Sequence, residues 1–275
     1  MKRFILFAIN FGIAMSTSFN SNNWVTQNKC LEIIRLPMLI YDYNEKFKFK
    51  NMKEYQNNTE QNIKLINEMV NYAPNGKVEK FIENKKTDFQ AAITVSKNRK
   101  RICVVFRGTD SFKDWMFDLR ISKVKLNDGS HVHKGFYKQL EKEIIKLDTC
   151  LLDLLQKYSD YEVIITGHSL GAALATLYGY ILSDKIKNNI KVISFASPKV
   201  GNKKFSKFFS KKSNLEHYRF TNDNDIVPSL PPMFNYYHNG ILTKLGNKSR
   251  GFPSVKDHSI IYYYNNLRDK IYYNV

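Results

Sequence analysis

The chain has 275 residues, 43% of them hydrophobic, which is enough for a sizeable core and excludes an intrinsically disordered protein. Its formal net charge of +18 favours anionic partners, but the basic residues are spread over the chain without an evident basic helix, which is typical of a solvated surface. The cysteines lie too far apart for a metal-binding spacing or a disulfide framework, although one disulfide stays possible: Cys30, Cys103 and Cys150. Cys103 lies in an apolar run and is predicted to be a buried free thiol.

The first eighteen residues are typical of a secretory signal peptide. Lys2 and Arg3 provide a charged start, Phe4 to Met15 is mostly apolar, and small residues suitable for cleavage follow. The apolar run is too short to span a bilayer, and no later segment is long and apolar enough. We therefore expect a secreted protein without a transmembrane segment, in which residues 19–275 form one domain. The alternative is that the apolar run is a buried or interfacial helix.

Helical periodicity comes first along the rest of the chain, and strands follow it. Apolar residues between Asn28 and Ile40 predict a helix that Pro37 ends, and Gln61 to Tyr72 predicts a second helix. Phe89 to Val95 and Arg101 to Phe106 are rich in residues that favour strands, and a short polar turn separates them. These two segments predict a hairpin.

The loop after the second of these strands carries candidate site residues. Gly108 permits a sharp bend, and the backbone N–H of Thr109 is placed to donate to a developing oxyanion, although a plain β-turn explains the same residues. The next segment, Ser111 to Leu119, has one strongly apolar side formed by Phe112, Trp115, Met116 and Phe117. We interpret this segment as a mobile lid over a binding pocket, and the alternative is a helix packed on the core.

The strongest single signal is Gly167-His168-Ser169-Leu170-Gly171, a G-x-S-x-G pattern. Val163 to Ile165 before it predicts a buried strand, and Leu170 to Leu182 after it predicts a buried helix. A strand that turns at once into a helix projects its central residue from the sheet, beside helix N–H groups that favour negative charge. Ser169 is therefore a candidate nucleophile, and Leu170 supplies a second oxyanion donor. The alternative is an ordinary turn in which Ser169 caps the helix.

The remaining elements predict an α/β architecture. Phe136 to Leu155 has the spacing of one long helix that crosses over to the Val163 strand. Ile190 to Ala196 and Glu216 to Phe220 predict strands, with a helix at Lys203 to Phe209 between them. Since strands and helices alternate, we expect a mostly parallel central sheet with helices on both faces.

A nucleophilic serine needs a base and an orienting carboxylate, and in the α/β-hydrolase order these follow the serine. Three histidines come after Ser169. His217 lies inside a predicted strand and His238 in a tyrosine-rich loop, whereas His258 lies near the C-terminus, where we expect a loop to return over the sheet. Asp223 and Asp225 both follow the Glu216 strand, and position alone does not separate them.

Several stretches together resemble the class 3 lipases, also called fungal-type triacylglycerol lipases, in the family's order. They are Val104–Thr109, Trp115–Leu119, Val132–Phe136, Thr166–Ala175, Phe195–Asn202, Asn224–Pro232 and Asp257-His258. The resemblance implies an α/β-hydrolase fold, with Ser169 as nucleophile, Asp225 as acid and His258 as base. It also implies Thr109 in the oxyanion hole and the Ser111 to Leu119 segment as lid.

The resemblance implies a serine hydrolase that cleaves carboxylic esters of acyl lipids, most of all a triacylglycerol lipase acting at a lipid interface. Such an enzyme is expected to need no metal or organic cofactor, and we expect no nucleic-acid partner. The alternatives are a phospholipase A1 or general carboxylesterase and, from another class, an inactive protein that binds membrane surfaces. The Asn235 to Pro253 stretch is unusually rich in Tyr and Lys, which leaves the substrate preference open.

Overall fold

A computed structural model describes residues 24–47, 76–109, 121–232, 235–246 and 256–273, with side chains described for residues 28–40 of the first segment and 257–272 of the last. Nine strands are numbered in chain order: β1 Lys77–Asn84, β2 Phe89–Ser96, β3 Arg101–Phe106, β4 Lys123–Lys125, β5 His131–His133, β6 Glu162–His168, β7 Ile190–Phe195, β8 Leu215–Asn222 and β9 Ile241–Leu245. Six α-helices are described: α1 Trp24–Phe47, α2 Lys134–Glu141, α3 Ile144–Lys157, α4 Leu170–Leu182, α5 Lys203–Phe209 and α6 Ile260–Tyr273. Two 3-10 turns lie at Val227–Ser229 and Lys256–His258.

Seven strands form the central sheet in the order β1-β2-β3-β6-β7-β8-β9. β1, β2 and β3 pair antiparallel, which confirms the predicted hairpin, and the other neighbours from β3 to β9 pair parallel. Buried apolar side chains of α2, α3, α4 and α5 cover one face, and those of α1 and α6 cover the other. The prediction of a mostly parallel sheet with helices on both faces is therefore confirmed.

The predicted end of the first helix is wrong. This helix does not end at Pro37 but continues to Phe47, because Ile33, Ile34 and Ile40 on both sides of the proline are buried against the sheet. That burial offsets the backbone hydrogen bond lost at the proline. The prediction for Gln61 to Tyr72 lies outside the described residues.

The predicted helix from Phe136 to Leu155 is in fact two helices, α2 and α3, separated at Lys142 and Glu143. Glu143 is 1% exposed, and its carboxylate accepts hydrogen bonds from the side chains of Asn84 at 2.5 Å and Lys146 at 2.7 Å. The turn at Glu143 carries this buried acid toward Asn84 at the end of β1, a long-range contact that helical periodicity does not contain.

The three cysteines are free thiols, and Cys30 and Cys103 are buried on the α1 side of the sheet. Cys103 is fully buried, as predicted. Burial raises the pKa of both thiols to about 12, so neither is a thiolate at neutral pH.

Ion pairs tie α1 to the amino ends of the parallel strands. The Glu162 carboxylate accepts hydrogen bonds from Lys29 of α1 and Lys191 of β7, both at 2.9 Å, and Arg101 lies 3.9 Å away. Burial alone raises the pKa of Glu162, but the bonds from Lys29 and Lys191 outweigh it and leave the pKa below its usual value.

Glu162→Gln should lower stability at neutral pH by about 1–3 kcal/mol, because Lys29 and Lys191 lose a partly buried charged acceptor and Arg101 loses a nearby opposite charge. A carboxyl whose pKa is lowered by folding stabilises the fold above its unfolded pKa of about 4.3, and the contribution disappears as the pH falls further. The stability gap between wild type and variant, measured by urea denaturation, should therefore shrink between about pH 5 and pH 3. A gap that stays constant over this range would show that the effect is packing and not charge.

Candidate active site

Ser169 occupies the turn between β6 and α4 in a conformation that L-residues rarely adopt, with φ 58° and ψ −124°. Two flanking glycines permit this turn. A Cβ atom on Gly167 would lie 2.4 Å from the carbonyl carbon of Gly171, and one on Gly171 would lie 2.3 Å from the Phe106 carbonyl oxygen. The strand, turn and helix therefore hold Ser169 in a strained backbone that the surrounding packing maintains.

The Ser169 side chain does not cap α4, because no hydrogen bond joins its Oγ to the helix backbone. The alternative interpretation of Ser169 as an ordinary helix cap is therefore wrong. Its backbone is fixed independently: the Ser169 N–H donates to the Phe195 carbonyl at 3.0 Å, and its own carbonyl accepts from Ala172 and Ala173. The hydroxyl is thus free of any backbone role and is directed toward a third element.

That third element is the 3-10 turn that carries His258. His258 Nε2 lies 2.8 Å from Ser169 Oγ, and His258 Nδ1 lies 2.9 Å from Oδ2 and 3.1 Å from Oδ1 of Asp225. The three side chains come from positions separated by 89 and 33 residues, and all three residues are less than 9% exposed. Asp225, His258 and Ser169 therefore form one continuous hydrogen-bonded chain.

The Asp225 carboxylate has two further donors. The Val227 N–H donates to Oδ1 at 2.9 Å, and the Tyr263 hydroxyl donates to Oδ2 at 2.6 Å. Burial and the negative charge of Asp225 raise the pKa of Tyr263 well above its usual value, so this hydroxyl keeps its proton and stays a donor. Asp223, the other candidate acid, is partly exposed on the same loop, and its charge acts on Lys270 instead.

A second histidine holds the turn that carries His258. His168 Nε2 donates to the His258 carbonyl at 2.8 Å, and the two rings lie 4.6 Å apart. Burial, with a smaller contribution from His258, lowers the pKa of His168 well below its usual value, so its ring is neutral. Asn222 adds a bond from its side-chain amide to the Asp257 carbonyl at 2.8 Å. The sequence singled out none of these supports: Tyr263 lies in a run of three tyrosines, and nothing marked which one would turn inward.

Tyr263→Phe should lower kcat on the order of 10-fold and leave KM nearly unchanged, because Asp225 loses a charged hydrogen bond of about 1.5–3 kcal/mol that helps to orient it. Steady-state kinetics on a soluble ester, with a melting curve as the fold check, measure this. Tyr262→Phe is the matched control, since Tyr262 is the neighbouring residue of α6 and is 50% exposed. Equal kcat values in the two variants would contradict a positioning role for Tyr263.

The other two candidate bases are located elsewhere. His217 Nδ1 faces the Asn239 side-chain amide at 3.2 Å and its Nε2 faces Ser194 Oγ at 2.7 Å, while His238 Nε2 contacts the Pro228 carbonyl at 2.6 Å. Burial, with the nearby Arg219 charge, lowers the pKa of both histidines to about 3. Because Asn239 donates to Nδ1, His217 carries its proton on Nε2 and donates to Ser194, which is the wrong direction for a base.

The loop that contains Thr109 leaves β3 at the edge where Ser169 lies. β3 pairs with β6 so that Phe106 is opposite Gly167, and residues 107–109 continue from there. Leu170 is the first residue of α4, so its N–H has no carbonyl partner within the helix. The predicted lid residues Phe112, Trp115, Met116 and Phe117 lie outside the described residues.

An aspartate–histidine–serine chain beside a helix N-terminus can activate a hydroxyl for attack on a carbonyl. Within the described ranges, no group of three or more His, Cys, Asp or Glu side chains is placed to hold a metal ion. None of the helices described is both long and apolar enough to cross a bilayer.

Residues 103–235 match the sequence profile of the family described as "Lipase (class 3)". The secreted mono- and diacylglycerol lipase A of Penicillium cyclopium is 34% identical over 164 residues, 58% of this chain and 52% of that protein. The triacylglyceride lipase of Rhizomucor miehei has a solved structure that superposes with a TM-score of 0.63 at 27% identity, over 67% of this chain and 79% of that one. The lipase of Rhizopus microsporus var. chinensis gives a TM-score of 0.71 at 25% identity, over 88% and 87%. The chain spans about half the length of the curated relatives it matches.

Proposed function

We propose that the chain is a member of the class 3 lipases and a serine hydrolase that cleaves carboxylic esters of acyl lipids, as a triacylglycerol lipase. The match of residues 103–235 to the family's profile and the likeness to the solved Rhizomucor lipase support this proposal. The observation that carries this proposal is the hydrogen-bonded chain from Asp225 through His258 to the strained Ser169. An inactive membrane-binding protein would have no need for a serine held at positive φ with its hydroxyl on a histidine nitrogen.

In the proposed mechanism, Ser169 Oγ attacks the ester carbonyl while His258 Nε2 takes the serine proton. Asp225 holds the ring through Nδ1 and stabilises the imidazolium that forms. His258 then gives this proton to the leaving alcohol, and an acyl-enzyme remains. Water repeats the sequence with His258 as base, which releases the fatty acid and restores Ser169.

The tetrahedral intermediate carries an oxyanion, and we assign its donors to the backbone N–H groups of Thr109 and Leu170. The position of Leu170 at the first turn of α4 supports this role, since the positive end of the helix dipole favours negative charge there. Thr109 follows β3 at the same sheet edge. Neither donor requires a metal or an organic cofactor.

The substrate proposal rests on what the relatives share. The Penicillium protein is named for mono- and diacylglycerols and the Rhizomucor protein for triacylglycerides. Both substrate groups present a fatty acyl ester of glycerol, so this bond is the one we propose for the chain. We also propose that the protein is secreted after removal of residues 1–18, which the similarity to a secreted relative supports.

We further propose that Ser111 to Leu119 acts as a lid that opens on a lipid interface. Its large apolar side chains, Phe112, Trp115, Met116 and Phe117, would each cost roughly 1.5–3 kcal/mol to expose to water, and a lipid surface offers them another place to be buried. A rate that rises steeply as the substrate passes its solubility limit supports the lid, whereas a smooth rise contradicts it.

The test of the proposed function is a comparison of substrates by titration of released fatty acid. Emulsified triacylglycerol, diacylglycerol, monoacylglycerol and phosphatidylcholine are supplied to pure protein, with Ser169→Ala as the blank. Turnover of glycerides well above that of phosphatidylcholine is expected. Preference for the phospholipid would assign a phospholipase instead, and no turnover of any ester would refute a hydrolase.

Asp225→Asn tests the proposed acid. An amide cannot stabilise the imidazolium and favours the wrong tautomer, a change that costs about 10⁴-fold in kcat in a well-studied serine protease. Asp223→Asn is the matched control, since it makes the same chemical change two residues away on the same loop and should keep kcat within a few-fold. If Asp223→Asn loses activity and Asp225→Asn does not, the choice of acid is wrong.

A further inference from the structure

A row of lysines follows one side of α5 and the turn that continues it. From residue 199 to residue 215 the sequence contains six lysines and no aspartate or glutamate. Lys203, Lys207 and Lys211 recur at every fourth residue, which places them on one side of a helix. The helical path continues past the end of α5, because the Lys211 N–H donates to the Phe208 carbonyl at 3.2 Å. We call these three residues the lysine row.

The opposite side of α5 is apolar and fixed to the core. Phe205 and Phe209 are at most 2% exposed, and their rings lie 4.8 and 5.9 Å from the ring of Tyr180 in α4. This packing sets the rotation of α5 and leaves the lysine row exposed to solvent. The sequence-based view that the chain has no basic helix is therefore wrong, since three-dimensional packing separates lysines from phenylalanines that alternate irregularly in the sequence.

The lysine row differs from its lysine neighbours in having no acidic partner among the described residues. Lys212 forms an ion pair with Asp184, and Lys204 is close enough to Asp128 to interact with its charge. No such contact is made by Lys203, Lys207 or Lys211 in the described parts of the chain. Like charges four residues apart destabilise a helix, so the row is a feature that the fold itself does not favour.

We propose that the lysine row docks the protein on the headgroups of an anionic phospholipid bilayer. The inference rests on the proposed function, because a lipid hydrolase works at a lipid surface. Three ammonium groups on one exposed side, without an acidic partner in the part of the chain that the structure describes, match the negative surface potential of such a bilayer.

α5 connects the edge of the sheet that carries Ser169 to the opposite edge. α5 follows the carboxyl end of β7, where Phe195 pairs with His168 immediately before Ser169. The lysine row therefore begins at the sheet edge that carries the Ser169 hydroxyl. From there the row runs toward the amino end of β8, where Leu215 pairs with Ile190, so a bilayer that engages all three lysines lies along the side of the molecule, with Lys203 at the end nearer the Ser169 edge.

The experiment measures binding separately from catalysis, with Ser169→Ala as the background protein throughout. Co-sedimentation is measured with two kinds of vesicle. One is phosphatidylcholine alone, and the other contains about one phosphatidylglycerol in three lipids. Each is tested at low and at physiological salt. The test variant combines Lys203→Gln, Lys207→Gln and Lys211→Gln. The control combines Lys97→Gln, Lys142→Gln and Lys187→Gln, which are exposed lysines elsewhere with no acidic partner described and remove the same total charge.

Affinity for the anionic vesicles should fall on the order of 100-fold in the test variant, about 5-fold per lysine, and only a few-fold in the control. Replacement of the same three lysines by arginine should retain the binding of the parent, and melting curves check that every variant folds. With the active Ser169 present, the test variant should hydrolyse a soluble short-chain ester at the parental rate.

Three results would overturn the proposal. One is equal losses in the test and control variants, which would attribute binding to net charge alone. Another is no preference of the parent for anionic over neutral vesicles. The third is tighter binding of the lysine row to a single-stranded oligonucleotide than to the vesicles, which would assign it to nucleic acid. A protein that docks through the row but hydrolyses no ester would refute the proposed function and leave the docking intact.

Discussion

Replacement of Ser169 by alanine should abolish ester hydrolysis and leave the fold intact. The substitution removes the only atom that would form the acyl-enzyme, and loss of a nucleophile of this kind costs roughly 10⁶-fold in kcat in a well-studied serine protease. The fold should survive because Ser169 is held by backbone bonds, from its N–H to Phe195 and from its carbonyl to Ala172 and Ala173, which alanine can make equally well. Hydrolysis of a soluble p-nitrophenyl ester and a thermal melt measure the two effects.

Ser183→Ala provides the matched control for this experiment. Ser183 follows the other end of α4, and its Oγ donates to the Tyr180 carbonyl at 2.7 Å. Its loss removes a buried hydroxyl from the same helix and should leave kcat within a few-fold of the parent. If Ser169→Ala keeps activity within tenfold of wild type, Ser169 is not the nucleophile.

The nucleophile turn was accessible from sequence because its chemistry is local. Gly167 and Gly171 are required by contacts within a few residues and with the neighbouring strand, and a buried strand and helix flank them in the sequence. The same is true of the hairpin of β2 and β3, whose turn and alternation are contained in adjacent segments. Where one short stretch determines the geometry, periodicity and turn chemistry were sufficient.

The partners of Ser169 depend on long-range packing, which local patterns do not contain. Asp223 and Asp225 were equivalent by position, and only the resemblance to a family separated them. In the structure the separation has a physical cause: the Val227 N–H and the Tyr263 hydroxyl meet at the carboxylate of Asp225. Tyr263 belongs to α6, so this contact exists only after α6 packs on the sheet.

The two helix errors and the lysine row have the same origin. Pro37 was expected to stop a helix on local grounds, and burial of the flanking isoleucines overrides it. Glu143 was expected to lie within a helix, and its contact with Asn84 interrupts that helix. The lysines near α5 were judged scattered, because their common side becomes visible only when Phe205 and Phe209 are known to be buried. In each case a tertiary contact decides what the local pattern leaves open.

His217 and His258 are both buried and hydrogen-bonded on both ring nitrogens, but their contacts suit different roles, structural for His217 and catalytic for His258. His217 lies between Ser194 and Asn239, an arrangement that resembles the Ser169–His258–Asp225 chain except that an uncharged amide takes the place of the carboxylate. Its pKa of about 3, set by burial and then by Arg219, keeps the ring neutral at any working pH. His258 makes comparable contacts, but with a carboxylate on one nitrogen and the strained serine on the other. The two histidines differ in this partner: the Asp225 carboxylate can stabilise a cationic imidazolium, whereas the neutral Asn239 amide cannot.

His258→Ala should therefore be nearly as damaging to turnover as Ser169→Ala, roughly 10⁶-fold in kcat by analogy with a well-studied serine protease. The base that takes the Ser169 proton is lost, while Asp225 keeps its bonds from Val227 and Tyr263, so the loop that carries it should stay ordered.

His217→Ala should have the opposite effect, lowering stability and sparing turnover. It leaves the buried Ser194 and Asn239 groups without a partner, at about 1–3 kcal/mol each, so the melting temperature falls while kcat per folded molecule is retained. Active-site titration with a serine-directed phosphonate gives the folded, reactive fraction for His217→Ala, and kcat is divided by it. The assignment of His258 as base is wrong if His258→Ala keeps its turnover. It is also wrong if His217→Ala is fully folded and inactive.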